Sequence, residues 1–111
     1  MLIIDRLLST KDKIEANGRD KDLVDYFAIG KQVVVVSDDF EAFSREKVYQ
    51  IMMGCYKEEY AQALDGVKGA EITAWWDRAV DIIPAGGGKG VAVEKVLEHY
   101  HIDRSEAVAF G

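Results

Sequence analysis

Gly86, Gly87, Gly88 and Gly90 surround a single lysine, Lys89, where a strand-like run from Ala79 to Ile83 gives way to a helix-like one. Bare backbone N–H groups at the start of a helix, with an ammonium beside them, suit an approaching oxyanion. Phosphate binding at Gly88, Lys89 and Gly90 is the chemistry to expect. The turn is not a nucleotide P-loop, which needs a glycine four residues removed from the Gly-Lys pair and a Ser or Thr after it; Ile83 and Gly90 stand there. A turn that merely ends one element and starts the next accounts for the same residues without a ligand.

Other residues with chemical potential read differently. His99 and His101 stand two apart on a helix, so they diverge by about 200° and cannot share a metal. Asp38, Asp39 and Glu41 lack the glycine and further oxygen ligands of a calcium loop, and no metal is assigned to them. Cys55 is the only cysteine. An internal disulfide is excluded, and a buried, inert thiol is expected in a reducing compartment. Trp75, Trp76 and Arg78 offer two aromatic rings and a guanidinium that suit a sugar or another polar organic phosphate. Packing of one indole into a sheet, with the other at its edge, is the competing expectation.

These residues need elements to position them. Ile3, Ile4, Leu7 and Leu8 recur at helical spacing before Asn17-Gly18 and predict a first helix. Leu23, Val24, Phe27 and Ala28 make one stripe of a second, closed by Gly30. Val33 to Val36 reads as a β-branched strand, and Lys47 to Met53 as another. Lys57 to Leu64 predicts a short helix. Glu71 to Trp76 and Ala79 to Ile83 predict an antiparallel hairpin turned by Asp77-Arg78, with Ile72, Ala74 and Trp76 on one face. The order from Asp20 to Ile83 is then helix, strand, strand, twice over. It predicts an α+β unit, a mainly antiparallel four-stranded sheet covered on one face by two helices. After Pro84, Val93, Val96, Leu97 and Tyr100 mark an amphipathic helix, and Val108 to Phe110 a short strand.

Composition bounds the partners. The 111 residues allow one small domain, and 49% hydrophobic with 31% charged content is that of a folded chain. A net charge of −6 argues against a general nucleic-acid or anionic-membrane surface. The N-terminal Met-Leu-Ile-Ile is interrupted at once by Asp5 and Arg6, too soon for a signal sequence or membrane span. A cytoplasmic location is expected.

Ala79-Val80-Asp81-Ile82-Ile83-Pro84, the Gly88-Lys89-Gly90 turn, the helix after it and the closing Ala107 to Gly111 resemble the C-terminal part of Cof-type phosphatases of the haloacid dehalogenase superfamily. The resemblance implies an αββαββ cap at residues 20–84, preceded by an N-terminal helix or linker at 1–19. Residues 85–111 would be a helix-strand remnant of a Rossmann-like core. It implies Mg²⁺-dependent hydrolysis of a sugar phosphate or similar small phosphomonoester by the intact relative. Lys89 would contact the phosphoryl oxygens and the nucleophilic aspartate, and Trp75, Trp76 and Arg78 would face the leaving group.

The Asp-x-Asp strand, the Ser or Thr after a second core strand, and the aspartate-rich loop that helps hold Mg²⁺ have no counterpart here. Aspartyl-phosphate chemistry needs both an activated carboxylate and a metal. The chain is expected to be a truncated or fragmentary member that binds no metal and does not hydrolyse phosphate alone. Two alternatives stay open: a noncatalytic interaction module, self-associating through the exposed core remnant, or a decayed gene product.

Overall fold

The computed structural model describes residues 5–111. Its centre is a five-stranded, wholly antiparallel sheet in the order β2-β1-β3-β5-β4, built from β1 (Arg6–Ser9), β2 (Ile14–Ala16), β3 (Gln50–Gly54), β4 (Ala70–Thr73) and β5 (Ala79–Pro84). Adjacent strand residues point to opposite faces, so the Met52-Met53 pair serves two cores. On one face Leu7, Met52 and Ala79 pack with Ala16 and Val34 and with Leu23 and Tyr26 of α1 (Lys21–Ile29). On the other, Met53, Cys55 and Val80 pack against Ile72, Ile82, and Tyr60 and Ala63 of a further helix.

The predicted first helix is instead the β1-β2 hairpin. Leu7 and Leu8 are both buried, at 0% and 5% exposure, and pair across the ladder with Met52 and Ile51. Two consecutive buried leucines suit a strand covered on both faces as well as they suit a helix. Ile3 and Ile4 lie outside the described residues. The sheet thus has five strands rather than four, and helices cover both faces rather than one.

Predicted helix α1 forms, and its start is chemically fixed. The Asp20 carboxylate accepts from the N–H of Leu23 at 2.8 Å through one oxygen and of Asp5 at 3.1 Å through the other. That ties the helix to the head of the sheet. Val33 to Val36 is not a strand: only Val36 bridges in parallel to Ala16, and Val33 is 80% exposed. The Arg19 side chain donates to the Val34 carbonyl, and Gln32 N–H turns back to Phe27. A side chain has taken the Val34 carbonyl, and the bonds to β2 stop at the Val35 carbonyl and the Ser37 N–H on either side of Val36. A helix that the sequence did not announce, α2 (Phe40–Ser44), follows, capped by Asp39 onto Ala42 N–H at 3.1 Å.

β3 starts three residues later than expected and runs one further, to Gly54. The short helix is present as a 3₁₀ turn, Lys57–Glu59, leading into α3 (Tyr60–Ala63). β4 and β5 pair antiparallel as expected, with Ile72 opposite Ile82. Their connection is not a two-residue turn. β4 stops at Thr73, so Ala74 and Trp76 leave the sheet and residues 74–78 form a five-residue loop. The expected helix after Pro84 is α4 (Lys89–Tyr100), but none of its side chains is buried. Val108 to Phe110 forms no strand, and Phe110 is 96% exposed. A strand needs a neighbour, and the described sheet ends elsewhere.

Candidate functional site

Pro84 closes β5 at a ladder position beside Ala70. The chain then turns sharply: Gly87 N–H donates to the Pro84 carbonyl at 2.9 Å, and Gly86 takes φ +74°, a left-handed conformation that favours glycine. A Cβ on Gly87 would meet the Pro84 oxygen at 2.9 Å, so two successive glycines are required by geometry. Gly88 is the N-cap of α4 and brings no capping side chain; its carbonyl accepts from Ala92. The first-turn N–H groups of α4 therefore have no intrahelical partner. Lys89 is the first helical residue, exposed and in no ion pair among the described residues. Gly88, Lys89 and Gly90 thus form one open, electropositive helix start.

Trp75, Trp76 and Arg78 lie at the other end of β5. Six strand residues separate Arg78 from Ala85, a span of roughly 17 Å or more. Arg78 is committed to α1. Its Nε and Nη2 both donate to Asp22 Oδ1, at 2.8 and 2.6 Å, and Nη2 also donates to Asp25 Oδ2 at 2.7 Å. These carboxylates, Asp25 first and then Asp22, hold the guanidinium more firmly protonated than usual. Asp25 is held below the ordinary carboxylate range, by Lys21 at 2.6 Å and then by Arg78.

The guanidinium also lies 4.8 Å over the Trp76 ring, and Trp76 stacks on Tyr26 at 5.6 Å with 7° between planes. Trp76 is therefore a packing residue sandwiched between helix and loop. Trp75 differs. Its ring meets Tyr26 at 5.3 Å yet remains 64% exposed. Tyr26 donates its hydroxyl to Asp81 Oδ1 at 3.0 Å; burial, reinforced by that carboxylate, pushes the phenol well above its usual range. Of the three residues expected to face a ligand, Trp75 alone has its face free.

Asp22, Asp25, Tyr26 and Asp81 were not singled out from the sequence. The signal was there in part. Asp22, Asp25 and Tyr26 fall at i, i+3 and i+4 on one face of α1, and Asp81 is the lone charge in the apolar run Ala79 to Pro84. Cys55 is buried, as expected, and its thiol is pushed up by burial and then by Glu59. Of the acidic cluster, Asp39 is a helix cap and Glu41 pairs with Arg45 at 2.7 Å. His99 stacks edge-on against Tyr100, and His101 closes α4 in the left-handed conformation.

A larger cavity of about 810 Å³ lies on the opposite face of the sheet, floored by Leu8, Ile51, Met53 and Ile82. It contains none of the expected site residues. Among the described residues no group of three or more His, Cys, Asp or Glu could hold a metal ion, and no helix is long and apolar enough to cross a membrane.

Residues 5–111 match the family model of haloacid dehalogenase-like hydrolases. The protein YkrA of Bacillus subtilis (strain 168), which carries the provisional name of a phosphatase, is 26% identical over 69 residues, 62% of this chain and 26% of YkrA. The chain thus spans about a quarter of that relative. Among solved structures, a hypothetical protein from Geobacillus kaustophilus HTA426 is 23% identical with a TM-score of 0.73, over 97% of this chain and 42% of its own. The subclass IIB sugar phosphatase BT4131 is 19% identical with a TM-score of 0.77, over 93% of this chain and 40% of its own. The phosphatase BT1666 from Bacteroides thetaiotaomicron is 20% identical with a TM-score of 0.73, over 93% and 39%. At these identities the structural likeness establishes the fold, a haloacid dehalogenase-like one with an antiparallel sheet.

Proposed function

The chain belongs to the haloacid dehalogenase-like hydrolase family, and from that premise we propose that it supplies the phosphate clamp and the lid of a phosphomonoester hydrolase of Cof type. The observation that carries the reading is the turn after β5, where Lys89 and the open N–H groups of Gly88 to Gly90 stand together at the start of α4. An ammonium and aligned N–H dipoles stabilise the charge on a phosphoryl group without any proton transfer. In this reading Lys89 binds the phosphoryl oxygens and offsets their repulsion with a carboxylate nucleophile. The β1–β5 sheet with α1 is the cap, and α4 belongs to the core.

Enzymes of this family are generally metal-dependent. The described residues do not fit Mg²⁺, since they bring no cluster of oxygen ligands together. Their role is to bind and cover, while the nucleophile and metal ligands belong to other residues of an intact enzyme. A small phosphorylated metabolite, a sugar phosphate among them, is the substrate class proposed for that enzyme.

The test separates clamp from catalysis. Inorganic phosphate added to this chain is expected to shift the amide resonances of Gly88, Lys89 and Gly90, and Lys89→Ala to abolish the shifts. With Mg²⁺ and p-nitrophenyl phosphate, no turnover above background is expected. Lys89-dependent turnover by this chain would overturn the assignment of nucleophile and metal to other residues. Absence of any phosphate-induced shift at the turn would overturn the clamp.

A noncatalytic interaction module is a second reading, favoured by one observation: the apolar side chains Val93, Val96 and Tyr100 of α4 are 51%, 54% and 66% exposed. Concentration-dependent self-association, abolished by Val96→Asp in sedimentation experiments, is its expected signature; a monomer at high concentration contradicts it.

A further inference from the structure

The face of the sheet away from α1 carries an apolar row that crosses three strands. Leu8 stands opposite Ile51 and Ile51 opposite Ile82, so the three side chains lie side by side on β1, β3 and β5. With Met53 they floor the cavity of about 810 Å³, which Ala70 of β4 also lines. That volume falls within the roughly 300–1,000 Å³ of small-molecule sites. Phe40 of α2, and Leu64 and Val67 after α3, supply walls. Ile51 and Ile82 are only half-buried, so apolar surface stays wet in the middle of the sheet.

One cation shares this face. Side chains two apart on a strand point the same way, so Arg6 rises beside Leu8, with Met53 opposite it on β3. Arg6 lines the cavity and makes no ion pair among the described residues. Such a side chain rests its aliphatic stem on apolar neighbours and keeps its charged head in water. The other polar groups of the lining compete poorly for an anion. Ser44 already donates its hydroxyl to the Glu41 carbonyl at 2.7 Å, and Asp65, the single anion, stands in the connection after α3 rather than on the floor.

The chemistry selects among ligands. A polyhydroxylated molecule would lose hydrogen bonds to water over the Leu8, Ile51, Ile82 row and regain few. A neutral hydrocarbon would cover the row but leave the guanidinium without a partner. An aliphatic chain ending in a carboxylate uses both features: its methylene groups cover the row, and the planar fork of Arg6 takes its two oxygens. From β1 to β4 is three interstrand spacings, roughly 14 Å, room for a chain of medium length laid across the strands.

We propose that this cavity is a binding site for a medium-chain aliphatic carboxylate, its head on Arg6 and its tail over Leu8, Ile51 and Ile82. The site stands on the face opposite Trp75 and Arg78 and uses neither Lys89 nor phosphate.

Calorimetry and methyl NMR of this chain with decanoate, kept below its critical micelle concentration, test the site. Decanol probes the tail alone, and decyltrimethylammonium the opposite charge. Saturable decanoate binding is expected, with shifts of the Leu8, Ile51 and Ile82 methyl groups. Both competing probes are expected to bind about tenfold more weakly, and Arg6→Gln to weaken decanoate about tenfold while leaving decanol unchanged, the loss of one charge-assisted pair. Val67→Asp, at an exposed position after α3, should weaken decanoate and decanol alike, and it decides should Arg6→Gln fail to fold. No saturable decanoate binding, equal or tighter binding of either competing probe, or decanoate affinity unchanged in a folded variant would each overturn the proposal. So would shifts confined to Val93 and Val96, which place the ligand on α4, or shifts of the floor methyl groups on raising protein concentration without ligand, which make a second copy the occupant. The readout involves neither turnover nor the amides of Gly88 to Gly90, so it fails or stands apart from the clamp.

Discussion

Arg78 and Lys89 are both cations expected to meet a ligand, and their surroundings divide them. Arg78 gives three hydrogen bonds to two carboxylates of α1, whereas Lys89 has none from the described residues. The fork of Arg78 is used for structure, and Arg78→Lys, which keeps charge but loses the fork and the stacking plane, is expected to lower the melting temperature. The pH dependence follows from Asp25, whose folded pKa lies below its ordinary 3.8. A depressed carboxylate contributes stability that is present above its unfolded pKa and lost as pH falls through the folded one. The melting-temperature gap between wild type and Arg78→Ala should therefore be full at neutral pH and shrink below about pH 4. A gap of constant size from pH 7 to pH 2 would show that the ion pair is not its source. Tyr26→Phe removes only the bond to Asp81 and keeps the stacking with Trp76, so a cost of about 0.5–1.5 kcal/mol in urea unfolding is expected.

Among the elements, the strongest contrast is between the two apolar runs that begin and follow α1. Leu23 is fully buried against the sheet, and Leu23→Ala is expected to cost about 2–5 kcal/mol by chemical denaturation. Val33, equally apolar and β-branched, is 80% exposed, and Val33→Thr should stay within about 0.5 kcal/mol of wild type. A large loss at Val33 would mean that the segment is a covered strand after all. The turn between β5 and α4 has its own test. Gly86→Ala places a Cβ at φ +74°, and is expected to cost about 1 kcal/mol or more while leaving the sheet intact. Retention of the phosphate-induced shifts at Lys89 in that variant would show that the clamp does not depend on the turn's shape.

At the scale of the whole molecule, stability is concentrated in the two clusters on either side of the sheet, at Leu7, Leu23 and Met52 and at Met53, Cys55 and Val80. α4 contributes no buried side chain, although its C-cap is sound and Arg104 pairs with Glu94. Surface contacts of that kind add little. Hydrogen exchange of the amides in α4 is therefore expected to be faster than in α1 and β3, because opening the helix exposes no core. Protection of α4 equal to that of β3 would mean that its apolar face is covered.

The sequence by itself determined whatever depends on near neighbours. The stripe Leu23, Val24, Phe27, Ala28 ended by Gly30 became α1, the i, i+3, i+4 pattern from Val93 became α4, and the two β-prone runs around residues 70–84 paired antiparallel. Each rests on a periodicity that one segment carries alone. The Gly88-Lys89-Gly90 turn was legible for the same reason, since glycines between strand and helix need no distant partner. Tertiary structure alone decided what becomes of apolar residues whose partners are far away in the chain. Leu7 and Leu8 are strand because Met52 and Ile51 stand opposite them; Val33 to Val36 and Val108 to Phe110 are not, because no ladder in the described sheet receives them. It also decided which polar residues are spoken for: Arg78 and Trp76 are locked by α1 across fifty or more residues of sequence, and Trp75 and Asp81 are left facing a cavity. The physical reason is common to both. A strand's hydrogen bonds and a side chain's ion pairs are completed by groups remote in sequence, whereas a helix completes its own backbone within four residues.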